Sequence, residues 1–202
     1  MLPTMQIPPK TECYRLMAEM RMLDNIVAHS IQVSRVSLLL ADRMQTAGIT
    51  LNRELLQAAA LLHDITKTRS FETGEMHTET GGELLHLRGY PEVGHIVRQH
   101  VRLDSYSAAG PPTEAEIVNY ADKRVLHDHV VSLNRRMEYI VQRYGTNPQV
   151  ARRLDWLCER SLAMEARIFA HLPFPCGSLP DLLPEAGLED ELAGYRAICE
   201  GA

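Results

Sequence analysis

The sequence is poor in aromatic residues and has no paired cysteine motif. Aromatic residues account for 5% of its 202 residues, so the core has to be built from aliphatic side chains. The four cysteines include no C-x-x-C pair, which argues against a zinc ribbon or redox motif and fits a reducing compartment. We interpret all four, Cys13, Cys158, Cys176 and Cys199, as buried small hydrophobic residues.

The sequence also lacks the patterns of membrane proteins and an excess of positive charge. The first ten residues, MLPTMQIPPK, do not have the basic-then-apolar layout of a secretory signal, and no apolar run reaches the ~18 residues of a membrane span. The formal net charge of −5 provides no global positive field to hold duplex nucleic acid. We therefore expect a cytoplasmic protein that binds neither membranes nor duplex nucleic acid. A homo-oligomer is left open.

The apolar residues that are present recur at spacings of three and four, which predicts helices and no convincing strand. Asn52, Ser132 and Asn147 are good N-caps, and Thr113 with Glu116 forms a capping box. The helix that follows this box is expected to run through Asp122 toward Asp128, whereas residues 66–76 are rich in Thr, Ser and Gly and predict a loop. The fold class is therefore all-α, with about seven to nine helices.

The chain divides by composition near residue 172. Residues 1–172 contain the periodic helical segments and are interpreted as one helical domain. Residues 173–184 are rich in Pro, Gly and Leu and precede one short amphipathic segment. We therefore predict a C-terminal appendage over residues 173–202 that consists of a connector and a short helix.

Histidine is the one residue type with an unusual count, nine in all, and its placement carries chemical information. His29, His100 and Asp122 each fall on the apolar stripe of a predicted helix. His63-Asp64 follows the apolar run AAALL, where a buried carboxylate needs a partner. One such residue has an ordinary structural explanation, but several helices that direct His or Asp inward need a common partner. A metal ion is that partner.

His77 completes the candidate set, because the start of its helix is expected to lie near the His63-Asp64 turn. Four imidazoles and two carboxylates provide enough ligands for two ions if one carboxylate bridges. This mixture suits Mn, Fe, Co, Ni or Zn better than Ca, and the lack of cysteine ligands argues against a structural zinc site. The sequence predicts one or two divalent transition-metal ions held by His29, His63, Asp64, His77, His100 and Asp122.

The ordered set of His29, His63-Asp64 and Asp122 resembles the HD-domain superfamily of metal-dependent phosphohydrolases over about residues 25–130. The segment ALLHDITK is similar to the family's ALLHDIGK, with Thr66 where glycine is common. The fold that this resemblance implies is an HD-domain-like helical bundle.

Two further segments, HTETGGELL at His77 and IVRQHV at His100, resemble the additional histidines of the two-metal subgroup. Gly89-Tyr90-Pro91 spells the family's GYP signature, but it precedes His100 instead of following it. We therefore do not infer a cyclic-di-GMP phosphodiesterase.

The resemblance implies a division of labour among these residues. His29, His63, Asp64 and Asp122 would hold one metal, and Asp64 would bridge to a second metal held by His77 and His100. A metal-activated hydroxide would then be the nucleophile, with Asp64 and Lys67 as the catalytic residues and Lys67 on a substrate phosphate. The implied activity is hydrolysis of a phosphomonoester or phosphodiester in a small phosphorylated metabolite or nucleotide.

Two alternatives stay open at this level. The same ligands suit a di-iron oxygenase on the same fold, and a non-catalytic HD-type binding module is a third interpretation. Basic residues near the motifs add little to the choice among these functions. Lys123-Arg124 could bring positive charge to the mouth of the metal site. Helical spacing, however, favours a solvated face for Arg124. The pair Arg135-Arg136 is likewise interpreted as solvated.

Overall fold

The computed structural model describes residues 5–106 and 109–200. Residues 1–4, 107–108 and 201–202 lie outside the described part; the first two groups belong to the predicted domain and the third to the predicted appendage. Within it the elements are α1 (Lys10–Glu19), α2 (Asp24–Thr46), α3 (Arg53–Leu62), α4 (Lys67–Thr73), α5 (His77–Leu87), α6 (Pro91–Arg98), α7 (Glu114–Asp122), β1 (Val125–Leu126), β2 (His129–Val130), α8 (Leu133–Tyr144), α9 (Pro148–Phe169), a 3₁₀ turn (Cys176–Ser178), α10 (Leu179–Leu182) and α11 (Glu185–Glu200).

The all-α fold class is confirmed, with more helical segments than the predicted seven to nine. The surplus comes from short helices, since α4 replaces most of the loop predicted at residues 66–76 and α10 lies in the predicted connector. The helix expected to continue toward Asp128 instead ends at Asp122. The chain then turns at His127, whose φ is 58°, and pairs β1 with β2 in a two-residue antiparallel hairpin.

Helix starts follow the capping residues of the sequence. The Asn52 side chain accepts a hydrogen bond from Leu55 N at 3.0 Å. Thr113 and Glu116 form the predicted capping box at the start of α7, which fixes the register of the helix that ends in Asp122. Ser132 and Asn147 cap α8 and α9 in the same way.

The core is aliphatic, as the low aromatic content predicts, and it centres on α2. This 23-residue helix packs against α3 and α7, while α6 also packs against α3 and α7. Val36, Leu56 and Val118 are fully buried at the centre of this group. The cysteine prediction is confirmed for Cys13 alone, because Cys158, Cys176 and Cys199 belong to the C-terminal third of the chain, where packing is thinner and they stay partly exposed.

Helices α5 and α6 approach each other closely at a pair of glycines. A Cβ added to Gly94 would lie 2.5 Å from the carbonyl oxygen of Gly82, which is far inside van der Waals contact. Helix α5 begins with His77 and α6 precedes His100, so this close contact sets the distance between two of the candidate ligands.

Replacing Gly94 by Ala is expected to lower the free energy of unfolding by about 1–3 kcal/mol, because the added methyl group forces two backbones apart. The control is Gly194→Ala in α11, where a Cβ would contact nothing within 4 Å and the substitution should add about 0.5–1 kcal/mol. Urea unfolding of both variants measures the difference. Equal stabilities would contradict the close contact of α5 and α6.

The C-terminal helix folds back onto the N-terminal part of the chain. Helix α11 packs against α1 and α2, and the Tyr14 hydroxyl donates a hydrogen bond to Glu191 at 2.7 Å. The rings of Tyr14 and Tyr195 meet edge to face at 5.4 Å between centroids. The boundary at residues 172 and 173 stays a prediction. None of the described helices combines the length and apolarity of a membrane-spanning segment.

Candidate metal centre

Five separate segments place the candidate ligands around one point. His29 lies in the first half of the long helix α2, and His63-Asp64 follows the last residue of α3. His77 begins α5, His100 follows the end of α6, and Asp122 is the last residue of α7. The structure therefore brings together all six residues that the sequence predicts, although they span nearly half of the chain.

One group of ligand atoms forms around His63. The His63 Nε2 atom lies 3.4 Å from Asp64 Oδ2 and 3.8 Å from Asp122 Oδ1. His29 Nε2 lies 3.0 Å from the same Asp122 oxygen. The potential ligand atoms of His29, His63 and Asp64 all lie within 4.8 Å of one another, which is close enough for one cation to reach all three. We call this group the first cluster and include Asp122 in it.

A second group uses the other oxygen of Asp64. Asp64 Oδ1 lies 3.4 Å from His77 Nε2 and 3.5 Å from His100 Nε2. The potential ligand atoms of these three residues also lie within 4.8 Å of one another, and we call this group the second cluster. Asp64 is thus common to both clusters and presents one oxygen to each, which is the arrangement of a bridging carboxylate.

The buried atoms of this centre lack the hydrogen bonds that such atoms normally require. His63 and Asp64 are fully buried, yet His63 Nε2 and Asp64 Oδ1 have no hydrogen-bond partner among the described residues. A buried polar atom without a partner costs free energy, about 1–3 kcal/mol each. A divalent cation coordinated by these atoms removes that cost, so the residues present fit a metal site.

Backbone carbonyl groups orient three of the four imidazoles. His63 Nδ1 lies 2.8 Å from the Ala60 carbonyl oxygen and His100 Nδ1 lies 2.7 Å from that of Val97. His29 Nδ1 lies 2.8 Å from the carbonyl oxygen of His127. In the neutral imidazoles of His63 and His100 this acceptor assigns the proton to Nδ1, which leaves the Nε2 lone pair directed at the clusters. His29 has an acceptor at each ring nitrogen, the His127 carbonyl oxygen at Nδ1 and Asp122 Oδ1 at Nε2. Such outer contacts fix the tautomer and the ring orientation of metal-binding histidines.

Burial and charge pairing set the ionisation of the centre. Burial lowers the pKa of His29 against the opposing pull of Asp122, and it lowers the pKa of His77 to about 4. Burial also disfavours charge on Asp64, but the His63 imidazole and the Lys67 ammonium outweigh it and hold the pKa of Asp64 well below its ordinary value. Asp64 is therefore ionised while burial favours the neutral imidazoles of His29 and His77, and a carboxylate beside neutral imidazoles is what metal ligation requires.

The same balance applies to His63 and Asp122. Burial lowers the pKa of His63, but Asp64 and Asp122 outweigh burial and the net pKa is raised. Burial raises the pKa of Asp122, and the hydrogen bond with His29 and the charge of Arg136 reverse that effect and lower it well below its ordinary value. In this arrangement either a proton on His63 or a divalent cation balances the two carboxylates.

Lys67 lies at the centre, as the sequence predicts, and its present partner is a carboxylate. Its Nζ atom donates to Asp64 Oδ2 at 2.6 Å, and 31% of the side-chain surface is exposed to solvent. His77 is also partly exposed, whereas His63, Asp64 and His100 are not. The exposed side of the centre is therefore the side of Lys67 and His77.

Thr66, which departs from the family's usual glycine, has a structural role here. It is fully buried, and its hydroxyl donates to the carbonyl oxygen of His77 at 2.9 Å. The same hydroxyl lies 3.0 Å from the Thr80 hydroxyl. Thr66 thus ties the turn after Asp64 to the first residue of α5 and fixes the position of His77.

Replacing Thr66 by Val keeps the volume and removes this hydrogen bond. We expect a loss of about 1 kcal/mol in unfolding free energy and a weakening of about tenfold in the affinity for Mn²⁺, because His77 loses an orienting contact. Calorimetric titration with Mn²⁺ measures the second effect. Thr46→Val, at the exposed end of α2, is the control. Identical titrations for all three proteins would contradict the role of Thr66.

The structure corrects the predictions for the basic residues after Asp122. Lys123 and Arg124 are buried and turned away from the clusters instead of lining their mouth or facing solvent. Lys123 Nζ donates to Asn119 Oδ1 at 2.7 Å and to the His100 carbonyl oxygen at 3.3 Å, so it holds the segment that carries His100. Arg124 bonds to Val131 and Glu165 on the far side of α7. Helical periodicity alone does not locate the elements that cover this face.

Arg136 is the residue of the site that sequence analysis missed. It was interpreted with Arg135 as solvated, and Arg135 is indeed exposed, but the Arg136 side chain is 14% exposed and extends from α8 toward Asp122. Its terminal nitrogen lies 3.8 Å from Asp122 Oδ1. No local signal in the sequence distinguishes Arg136 from Arg135.

The helical fold and the site together define a class, that of all-α domains with an H…HD…D ligand set. A family model of the HD domain matches residues 26–125, which include every residue of the two clusters. The chain belongs to the HD-domain superfamily. The motifs quoted from the sequence and the family match cover the same region.

Comparisons with individual proteins give more distant similarities. Dihydroneopterin 2',3'-cyclic phosphate phosphodiesterase of Methanocaldococcus jannaschii is 33% identical over 113 residues, which cover 48% of this chain and 45% of that protein. tRNA (cytidine(56)-2'-O)-methyltransferase of Picrophilus torridus is 27% identical over 145 residues, which cover 65% of this chain and 40% of that protein. The chain thus spans less than half the length of both relatives.

A solved structure is also similar. It is the crystal structure of a predicted HD superfamily hydrolase from an uncultured Thermotogales bacterium, with a TM-score of 0.47 and 21% sequence identity. The match covers 83% of this chain and 94% of that chain.

Proposed function

We propose that this protein is a metal-dependent phosphohydrolase that acts on the phosphomonoester or phosphodiester bond of a small phosphorylated metabolite or nucleotide. The observation that carries the proposal is the shared carboxylate of Asp64, which faces two groups of imidazoles and has a buried oxygen without a hydrogen-bond partner. Membership of the HD-domain superfamily supports it.

In this proposal the two clusters hold divalent transition-metal ions. His29, His63, Asp64 and Asp122 would hold one ion, and Asp64, His77 and His100 would hold the other. The imidazole and carboxylate ligands suit Mn, Fe, Co, Ni or Zn. Ions of this kind supply Lewis acidity and bring the pKa of water toward neutrality.

The chain's own residues bind and orient the substrate. Lys67 is the proposed catalytic lysine next to Asp64, and its ammonium, on a side chain that is 31% exposed, can leave Asp64 for a phosphate oxygen. Asp64 is the second proposed catalytic residue, since it fixes the distance between the clusters. Burial of His63, Asp64 and His100 excludes bulk water from all but one side.

A small substrate is favoured over a nucleic-acid duplex. The chain has a net charge of −5, which does not attract a long polyanion. The phosphodiesterase relative carries a cyclic phosphate in its name, and that chemistry is consistent with a compact phosphoryl group at the open side of the centre.

The experiment is a substrate screen with metal control. Purified protein stripped with EDTA and reloaded with Mn²⁺ or Co²⁺ is incubated with nucleotides, cyclic nucleotides and phosphate esters, and products are separated by chromatography. We expect hydrolysis of at least one compound that stops on chelation and returns with metal. A fully metallated protein with no turnover, or one that instead consumes oxygen when loaded with iron, would contradict the proposal.

A further inference from the structure

Helix α8 places an arginine beside the first cluster. Arg136 reaches from α8 to within 3.8 Å of Asp122 Oδ1, which is too long for a hydrogen bond. Lys67 Nζ contacts Asp64 Oδ2, and His63 Nε2 lies near both that oxygen and Asp122 Oδ1. Lys67 from α4 and Arg136 from α8 therefore each approach one carboxylate of the first cluster.

The guanidinium of Arg136 has no hydrogen-bond acceptor among the described residues. Its Nε atom is buried and has no partner, and the contact with Asp122 is a long ion pair. A guanidinium carries five N–H donors in a rigid fork. Buried donors without acceptors are costly, which points to a ligand that supplies acceptor oxygens at this position.

Aromatic packing holds the fork in place. The guanidinium carbon of Arg136 lies 5.8 Å from the centre of the Tyr139 ring, and the Tyr139 ring meets that of His127 at 5.7 Å. His127 also supplies the carbonyl oxygen that orients His29. Helix α8, which carries Arg136, is thus connected to the first cluster through the turn between β1 and β2.

We propose that Arg136 is a substrate-binding residue that donates hydrogen bonds from its fork to two non-bridging oxygens of the phosphoryl group. This inference rests on the proposed function. An arginine fork matches a pair of phosphate oxygens, whereas Lys67 contributes a single point charge. Arg136 and Lys67 together clamp the phosphoryl group between α8 and α4.

The test compares Arg136→Gln with Arg135→Gln, the exposed neighbour on the same helix. Binding of inorganic phosphate to the Mn²⁺-loaded full chain is measured by calorimetry, and metal content is measured by mass spectrometry. We expect Arg136→Gln to weaken phosphate binding by about ten- to a hundredfold with unchanged metal content. Arg136→Lys should recover part of the loss, since it restores charge without the fork, and Arg135→Gln should match the parent protein.

Each other outcome decides against the inference. Unchanged phosphate binding in Arg136→Gln would show that the arginine does not contact the anion. Loss of metal together with phosphate in both Arg136 variants would make it a positioning residue for Asp122. If the parent protein hydrolyses an ester and Arg136→Gln has the same KM, this inference fails alone, whereas a parent protein that neither binds phosphate nor hydrolyses any ester removes the proposed function as well.

Discussion

Replacing Asp64 by Asn is expected to impair metal binding severely and, with it, to abolish the proposed hydrolysis. Asp64 is the residue common to the two groups, with Oδ2 3.4 Å from His63 and Oδ1 3.4 Å from His77. Asparagine has the same size but no charge, and its amide can offer an oxygen to one cluster only. We expect the affinity for Mn²⁺ to fall by more than about a hundredfold. This loss exceeds the one expected for a residue that only supports a metal ligand, because Asp64 is itself a proposed ligand.

The metal-free protein should respond differently. There the substitution removes a buried charge together with its ion pair to Lys67, two effects that oppose each other. The melting temperature without metal should therefore change little, while the stabilisation gained on adding Mn²⁺ should disappear. Asp155→Asn, at an exposed position of α9, is the control and should keep both metal and activity. Full metal occupancy in Asp64→Asn would contradict the bridging role.

The second large effect is expected far from the clusters, at Arg124. Its side chain is 2% exposed and donates to the Val131 carbonyl oxygen at 2.7 Å, to Glu165 at 3.0 Å and to the Cys176 carbonyl oxygen at 3.0 Å. Arg124 thus joins α7 to the hairpin, to α9 and to the segment before α10. Arg124→Met removes all three hydrogen bonds and breaks the ion pair with Glu165, which keeps the Tyr120 hydroxyl as a partner, and should cost about 3–5 kcal/mol of unfolding free energy.

Denaturant unfolding measures this loss, with Arg153→Met as the matched control on the exposed face of α9. The control should stay within about 0.5 kcal/mol of the parent protein. Arg124→Met should also retain its metal ligands, so that metal binding at low temperature persists while thermal stability falls. One hydrogen bond contributes about 1 kcal/mol. A smaller loss than this would contradict the role of Arg124 in joining these elements.

The helical elements near the site follow from short-range signals. Asn52 and the Thr113-Glu116 box start α3 and α7, and the lengths of these helices place His63-Asp64 and Asp122 at their C-terminal ends. The turn at His127 was not foreseen, because nothing local marks it. Its positive φ is held by long-range contacts, among them the bond between its carbonyl oxygen and His29.

The basic residues show where periodicity stops being informative. Arg135 and Arg136 look equivalent in the sequence, yet one is exposed and the other extends to Asp122. Arg124 was expected on a solvated face and is among the largest fully buried side chains. A helical pattern indicates which residues share a face but not which other element covers that face.

The amino-acid sequence by itself determined the helical class and the six inward-directed His and Asp residues, because apolar periodicity and capping act over a few residues and leave a local trace. The tertiary structure alone decided that Asp64 presents one oxygen to each cluster, that Arg136 extends to Asp122, and that Arg124 ties the end of α7 to α9. Most of these contacts join residues more than ten positions apart. Their geometry depends on how whole helices pack, which no local pattern encodes.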